Sequence, residues 1–534
     1  MGIIFLFILS LVYIKQRQTI FVPYGAVWKY LDNGSDQGTV WYKAAFDDSK
    51  WKSGKAQLGY GDDGELTVVS YGPDSKNKYI TTYFRHTFEV KDPEQYVGFT
   101  LKIHFDEGAV VYLNGKEVMR ANMPAGDIHY NTYAVGRPGE DEKFLDKKLM
   151  RKGINVLAAE VHQSNPQSSD ILFDLKLAAA KKLPNLTRKA PYLIYPGKNT
   201  EMKICWQLSK TLNCQLVWGT DTLYTSGEIE TTEYGNDHQH SYTFKKLIPA
   251  TKYFYRVTAG SEIHKGSFRT APESNATAIK FMVYGDTRTY PENHNKVAGG
   301  MVSAFSEDEQ LQSFILFVGD AVGNGDRESK WDREFFNKNY SNIQTLLANI
   351  PFQVCIGNHE GAGLLFVKYF PYLYINSHYW SYDYGPAHFV IYDQYIDNEE
   401  GFNRQIEWLK HDLANTTRPW KFICLHEPGW TAGSHENNEN VQKYIQPICE
   451  KYDVSIVFAG HNHYYAHAIV NSVHHITTGG GGAPLYDIEE GHSCIVFAQK
   501  GHHFCKISIN GIELKFSVVT PGGTILDKFS IKKQ

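Results

Sequence analysis

Lys280-Phe-Met-Val-Tyr-Gly-Asp286-Thr-Arg288 is an unbroken strand-forming run that stops at a glycine and an aspartate. A continuous apolar run of this length, bounded by glycine, predicts a strand buried on both faces of its sheet. The Asp286 carboxylate then falls just past the strand's carboxyl end, where open α/β sheets hold their ligands. Gly-Asp also closes ordinary turns, so the weight rests on recurrence. Phe314-Ile-Leu-Phe-Val318 runs into Gly319-Asp320, and Phe352-Gln-Val-Cys-Ile356 into Gly357-Asn358-His359-Glu360. Lys421-Phe-Ile-Cys-Leu425 ends in His426, and Val454-Ser-Ile-Val-Phe-Ala459 in Gly460-His461-Asn462-His463. The pattern predicts five strands delivering Asp, Asp, Asn-His, His and His-x-His to one edge of one sheet.

Hard oxygen donors and imidazoles, with no thiolate among them, suit two borderline ions such as Zn, Fe or Mn. A carboxylate shared between two such ions forms a clamp for phosphoryl displacement. In this order and spacing, residues from about 275 to 500 resemble the calcineurin-like metallophosphoesterases, and among them the purple acid phosphatases. The resemblance implies that Asp286, Asp320 and His463 hold one ion, with Asp320 bridging, and that Asn358, His426 and His461 complete the second. Water or hydroxide between the ions would be the nucleophile. His359, beside Asn358, is placed to protonate the leaving alkoxide, with Glu360 orienting or polarising it. His435 follows His426 by nine residues, where purple acid phosphatases carry a substrate-binding histidine; plain surface exposure is the alternative.

Two positions depart from that pattern. Gly323 stands three residues after Asp320, where purple acid phosphatases place a tyrosine, so no ferric phenolate colour is expected. Arg288 stands where other members of the superfamily have a histidine, and a guanidinium cannot ligate a metal. The first ion is left with three protein ligands. Arg288 is then free either to grip a substrate phosphate through its forked donors or to pair with a carboxylate of the sheet.

The remaining chain frames this region. At 534 residues it exceeds a single core, and a formal charge of −4 without a basic block argues against a nucleic-acid partner. Residues 1–20 hold an apolar run, Gly2 to Ile14, of export-signal length, cleaved or retained as a membrane anchor, which predicts an exported protein. Residues 21–180 alternate in short strands, with an Asn114-Gly115 hairpin, and resemble a galactose-binding-like jelly roll. Asp106, Trp51 or His162 would line a carbohydrate site there; a sandwich without ligand is equally compatible. Lys181 to Pro191 reads as a linker. Residues 187–272 resemble a fibronectin type III-like sandwich, expected to pack against the catalytic region. Cys205 and Cys214 flank a possible hairpin there, where an exported protein admits a local disulfide.

The predicted fold is therefore multidomain, with two all-β sandwiches ahead of an α/β/β/α four-layer catalytic domain over 277–534. Helices are expected around Phe402, Ile406, Leu409 and Leu413, and around Val441, Tyr444, Ile445 and Ile448. The glycines of Thr477-Thr-Gly479-Gly-Gly-Gly482 lack the helix and lysine of a phosphate-binding loop, so they predict close backbone approach beside the metals. The expected activity is hydrolysis of small phosphate monoesters, with phosphodiesters next. A carbohydrate-binding surface protein with a degenerate phosphatase domain is the reading from another class.

Overall fold

The computed structural model describes residues 18–61, 64–135, 139–180, 186–235 and 237–533. The apolar run Gly2 to Ile14 and residues 181–185 of the expected linker lie outside them. Among the described residues no helix is long and apolar enough to cross a membrane. The chain forms two compact units, Met1–Leu183 and Pro184–Gln534.

The first unit is built of two six-stranded sheets. Phe99–Asp106 alternates buried and half-buried residues, the period of a strand with one face on a core. Phe84 and Trp28 of one sheet meet Phe173 of the other, with ring centroids 4.3 and 4.9 Å apart. Asn114 and Gly115 take φ of 53° and 87°, the left-handed pair that a two-residue hairpin turn requires. The sugar-site expectation fares differently. Trp51 is buried in an aromatic cluster with Trp41 and Tyr83, and His162 is fully buried with its Nδ1 beside Thr81 Oγ1 and the Thr132 carbonyl. Both are interior side chains that present no face to a carbohydrate. Asp106 is half-buried beside Glu107 and Asp170.

In the second unit one nine-stranded sheet runs from Gln239–Phe244 through Met202–Leu208 and Thr187–Ile194 to Phe352–Val354, Ile315–Phe317 and Ala278–Tyr284. The antiparallel strands Phe504–Asn510, Glu513–Val519 and Ile525–Lys532 finish it. The linker reading of Lys181 to Pro191 is thus corrected over its second half. Thr187–Ile194 is a strand, and Ile194 pairs in parallel with Phe352. The sheet shared by the sandwich and the catalytic strands is continuous. Cys205 and Cys214 do not bracket a hairpin either. Their strands belong to different sheets, and both thiols are free and buried.

A seven-stranded sheet, holding Ala387–Ile391, Trp420–Cys424 and Ile456–Ala459, packs against the first. Phe281 reaches Phe389, Phe422 and Phe458 at 5.3, 5.7 and 6.4 Å. Alternate residues of the second sheet face opposite ways. Phe422 and Cys424 join the core between the sheets, while Ile423 and Leu425 pack with Ile406 and Leu409 of the helix Glu399–Asn415. The other helical stripe divides into a π-helical turn at Val441–Ile445 and the helix Gln446–Lys451. Burial on both faces explains the continuous apolar runs. It also corrects the single-sheet expectation, because a run buried on two faces reads alike in either of two stacked sheets. Strands ending at Asp286, Asp320 and Asn358 lie in the first sheet; those ending at His426 and His461 lie in the second.

His388 ties helix to strands. Its ring nitrogens lie 2.8 Å from Asp383 on one side and 2.8 Å from Asp412 of the helix on the other. Burial alone would lower its pKa, but the two carboxylates outweigh it and push it up to about 9. A raised folded-state pKa stabilises fully below the unfolded value of about 6.5 and loses that stabilisation as pH rises through about 9. Allowing for the 43% exposure of Asp383, the contribution is roughly 2 kcal/mol. His388→Gln is therefore expected to melt well below the parent at pH 6, with the gap closing towards pH 9.5 in thermal denaturation.

Candidate metal centre

Asp286, Asp320 and His426 each follow a strand end, and each has a glycine packed against its side chain that makes room for it. A Cβ on Gly460 would lie 2.3 Å from Asp286 Oδ2, one on Gly357 2.3 Å from Asp320 Oδ1, and one on Gly319 2.6 Å from His426 Nδ1. A Cβ on Gly479, from the glycine-rich run, would lie 2.3 Å from Asn462 O and 3.1 Å from Asp286 Oδ2. Asp286, Asp320 and His461 themselves take φ of 56°, 55° and 66°. Such left-handed backbone is costly for residues with a side chain and clusters at functional sites.

The side chains converge. Asp286, Asp320 and His426, all buried, bring ligand atoms within 4.8 Å of one another. Asn358 Oδ1 lies 3.1 Å from both His426 Nε2 and His461 Nδ1, and His426 Nε2 lies 3.3 Å from Asp320 Oδ1. His463 Nε2 is 3.6 Å from Asp286 Oδ1. The far ring nitrogens are anchored to backbone: His426 Nδ1 to Val318 O at 2.7 Å, His463 Nδ1 to Pro484 O at 2.6 Å. That leaves each Nε2 turned to the centre, the usual arrangement for metal-binding imidazoles.

The electrostatics call for a cation. Burial, outweighing the neighbouring His426, raises the Asp286 carboxyl to about 8, with Asp320 adding to the rise. Burial alone would raise Asp320 as well, but His426 holds it well below the usual carboxylate range. His426 is itself driven up to about 10: burial disfavours its charge, and Asp320 and Asp286 overcome the penalty. Asp286 Oδ2 is buried without a hydrogen-bond partner among the described residues. An orphaned carboxylate oxygen beside oxygen and imidazole donors fits hard or borderline metal ions. His461 and His463 are pushed down to about 3, first by burial and then by His426 and Arg288 respectively, so both offer neutral lone pairs far into the acid range.

Around this centre, His359 donates its backbone N–H to Asp320 Oδ1 at 3.0 Å, and its Nδ1 pairs with Gly323 O at 2.8 Å. Its Nε2 lies 3.9 Å from Asp320 Oδ2. Gly323, where a tyrosine was absent from the pattern, thus serves through its carbonyl. The orienting role expected of Glu360 is corrected. That side chain is fully buried and accepts backbone N–H bonds from Asp320, Gly357 and Ala321 at 3.0, 2.7 and 2.9 Å. His435 is exposed at the mouth, its ring 4.2 Å from that of His461. Arg288 Nε stands 3.4 Å from Asp320 Oδ2, so the carboxylate pairing weighed for it is the contact observed. Tyr486 was missed by sequence reading: it stacks on His463 at 4.1 Å and its hydroxyl lies 3.3 Å from Arg288 Nη2. Only its place just after the glycine-rich run hinted at it.

Residues 279–465 match the family model described as calcineurin-like phosphoesterase. This stretch is similar to calcineurin-like phosphoesterase domains. Acid phosphatase type 7 of Homo sapiens is 24% identical over 340 residues, covering 55% of this chain and 74% of the relative. Purple acid phosphatase 23 of Arabidopsis thaliana is 27% identical over 295 residues, covering 45% and 58%. The chain thus spans little more than half the length of the second relative. A purple acid phosphatase from yellow lupin (Lupinus luteus) seeds shares the fold, with a TM-score of 0.53 at 15% identity over 89% of this chain and 95% of that one. These likenesses indicate a hydrolase of the phosphatase kind.

Glu360 offers a test of how the centre is braced. Glu360→Gln keeps one acceptor oxygen and turns an amide N–H₂ against at least one of the three backbone donors, two of which meet Oε2 and one Oε1. The expected cost is about 2–3 kcal/mol of stability, because buried N–H groups lose a charge-assisted acceptor. A lowered melting temperature, with weaker retention of metal on dialysis, is the outcome to look for.

Proposed function

We propose that this chain is a metal-dependent phosphoesterase that hydrolyses phosphate monoesters at the two-sheet metal centre. The observation that carries the reading is the convergence of Asp286, Asp320, Asn358, His426 and His461 from the ends of two sheets, with an orphaned carboxylate oxygen at its heart. Asp320, His426, His461 and Asn358 would hold one ion, and Asp286, Asp320 and His463 are the set for a second. Such ions supply Lewis acidity to a bound phosphate and acidify a water for attack on phosphorus. The names of the relatives, acid phosphatase and purple acid phosphatase, support the monoester class.

The chain's own residues supply the rest. Neutral His461 and His463 keep their lone pairs at acid pH, as an acid phosphatase needs. His359, its Nδ1 directed at Gly323 O, turns Nε2 towards the side where Asp320 lies. A proton on that Nε2 is positioned for a leaving alkoxide. His435 and Tyr486 rim the mouth, their rings 5.4 Å apart, and would meet the organic part of the ester.

Activity on a generic aryl phosphate should vanish on chelation and return with Zn, Mn or Fe. Asp320→Ala should be the most damaging single change, since Asp320 belongs to both ligand sets. Full turnover in metal-free protein would overturn the reading.

His359→Ala is expected to lose about 10²–10⁴-fold on alkyl phosphates, whose leaving groups need a proton. Activated aryl phosphates should suffer far less. Equal losses on both classes would remove His359 from the acid role.

A further inference from the structure

The guanidinium of Arg288 stands beside His463, which belongs to one ligand set alone, and beside the Oδ2 oxygen of the shared Asp320. Its Nε is 3.4 Å from Asp320 Oδ2 and its Nη2 is 3.5 Å from His463 Nε2. The Nε approach is a charge contact without hydrogen-bond alignment. Two of the three donors of the Asp286–Asp320–His463 set therefore already face a permanent cation.

The surroundings hold it there. His463 donates its Nδ1 proton to Pro484 O, so the Nε2 lone pair is what meets Arg288. Tyr486, two residues on, stacks on the His463 ring at 4.1 Å and accepts from Arg288 Nη2 at 3.3 Å. Arg288 is only 16% exposed, which limits screening by water. By contrast, Asn358, His426 and His461 gather around Asn358 Oδ1 and share Asp320 through its other oxygen, Oδ1.

We propose that Arg288 is a resident cation of the Asp286–Asp320–His463 half of the centre. It neutralises Asp320 beside His463, so that this half takes a divalent ion far more weakly than the Asn358–His426–His461 half. The chain then carries one firmly held ion, and the second ligand set is filled only at high free metal. An ion entering that half meets a fixed positive charge a few ångströms away, or must displace it from Asp320 and Tyr486. At such range and burial the repulsion separates the two affinities by at least about a hundredfold. The proposal rests on the reading of this site as a metal centre and refines its stoichiometry.

Metal content decides it without recourse to turnover. The full-length protein is stripped with chelator and equilibrated against graded free Zn(II) or Mn(II). Bound metal is then counted by mass spectrometry and the binding followed by titration calorimetry. The parent should bind one equivalent tightly and a second only at about hundredfold higher free metal. Arg288→Met and Arg288→Ala, which remove the charge with and without the side-chain bulk, should bring the two affinities within about tenfold of each other. Two equivalents of similar affinity in the parent would overturn the proposal while leaving the phosphoesterase reading intact. So would an unchanged gap in both folded variants. No metal bound at all would overturn both readings. The parent measurement stands by itself should either variant fail to fold.

Discussion

Asp286 and Asp320 are two buried carboxylates brought within 4.8 Å of a shared, buried histidine. Left alone, one of them must take a proton, which is why Asp286 is raised while Asp320 is held low. Everything near them manages that negative charge. His426 supplies a cation from the second sheet, Arg288 another from the turn after the first strand, and the backbone N–H groups of His359 and His461 point at carboxylate oxygens. The glycines at 319, 357, 460 and 479 let backbone approach where any side chain would collide. The site is a charge problem first, and the fold brings together the means of solving it.

Much of this was legible because function wrote itself into local sequence. Strand, glycine and ligand are contiguous at Gly285-Asp286, Gly319-Asp320, Gly357-Asn358 and Gly460-His461, and contiguity is what sequence reading detects. Partition of the strands between two sheets was not legible. Phe281 and Phe422 are equally apolar, and their facing at 5.7 Å is a tertiary fact. Glu360 was misread for a related reason. A charged residue next to a candidate acid invites a catalytic role, yet full burial gave this one to backbone donors instead. Trp51 and His162 erred likewise, as aromatic and imidazole groups serve a core as readily as a sugar. Tyr486 had no motif to announce it, and its value lies in distances to His463 and Arg288.

The boundary between sandwich and catalytic region shows the limit of reading composition. Pro184 to Pro191 has the prolines and charges of a linker, yet Arg188 and Lys189 are where the strand is bolted down. Arg188 Nε and Lys189 Nζ each lie 2.7 Å from Asp332, and Lys189 is wholly buried. Burial lowers the Lys189 pKa even though Asp332 opposes it. Charge that sequence reading assigns to solvent is here an internal ion pair, whose removal from one side alone is costly.

The single register contact between Ile194 and Phe352 has a wider consequence. Because one sheet runs from Gln239–Phe244 to Ile525–Lys532, the sandwich strands and the strands that present Asp286, Asp320 and Asn358 are joined through the backbone of one sheet as well as through side chains. A seam can open and close, but a sheet edge stripped of its neighbour exposes unpaired N–H and C=O groups that recruit other chains. Exchanging this sandwich for another would cut through a sheet, and the strands left behind would lose their neighbour.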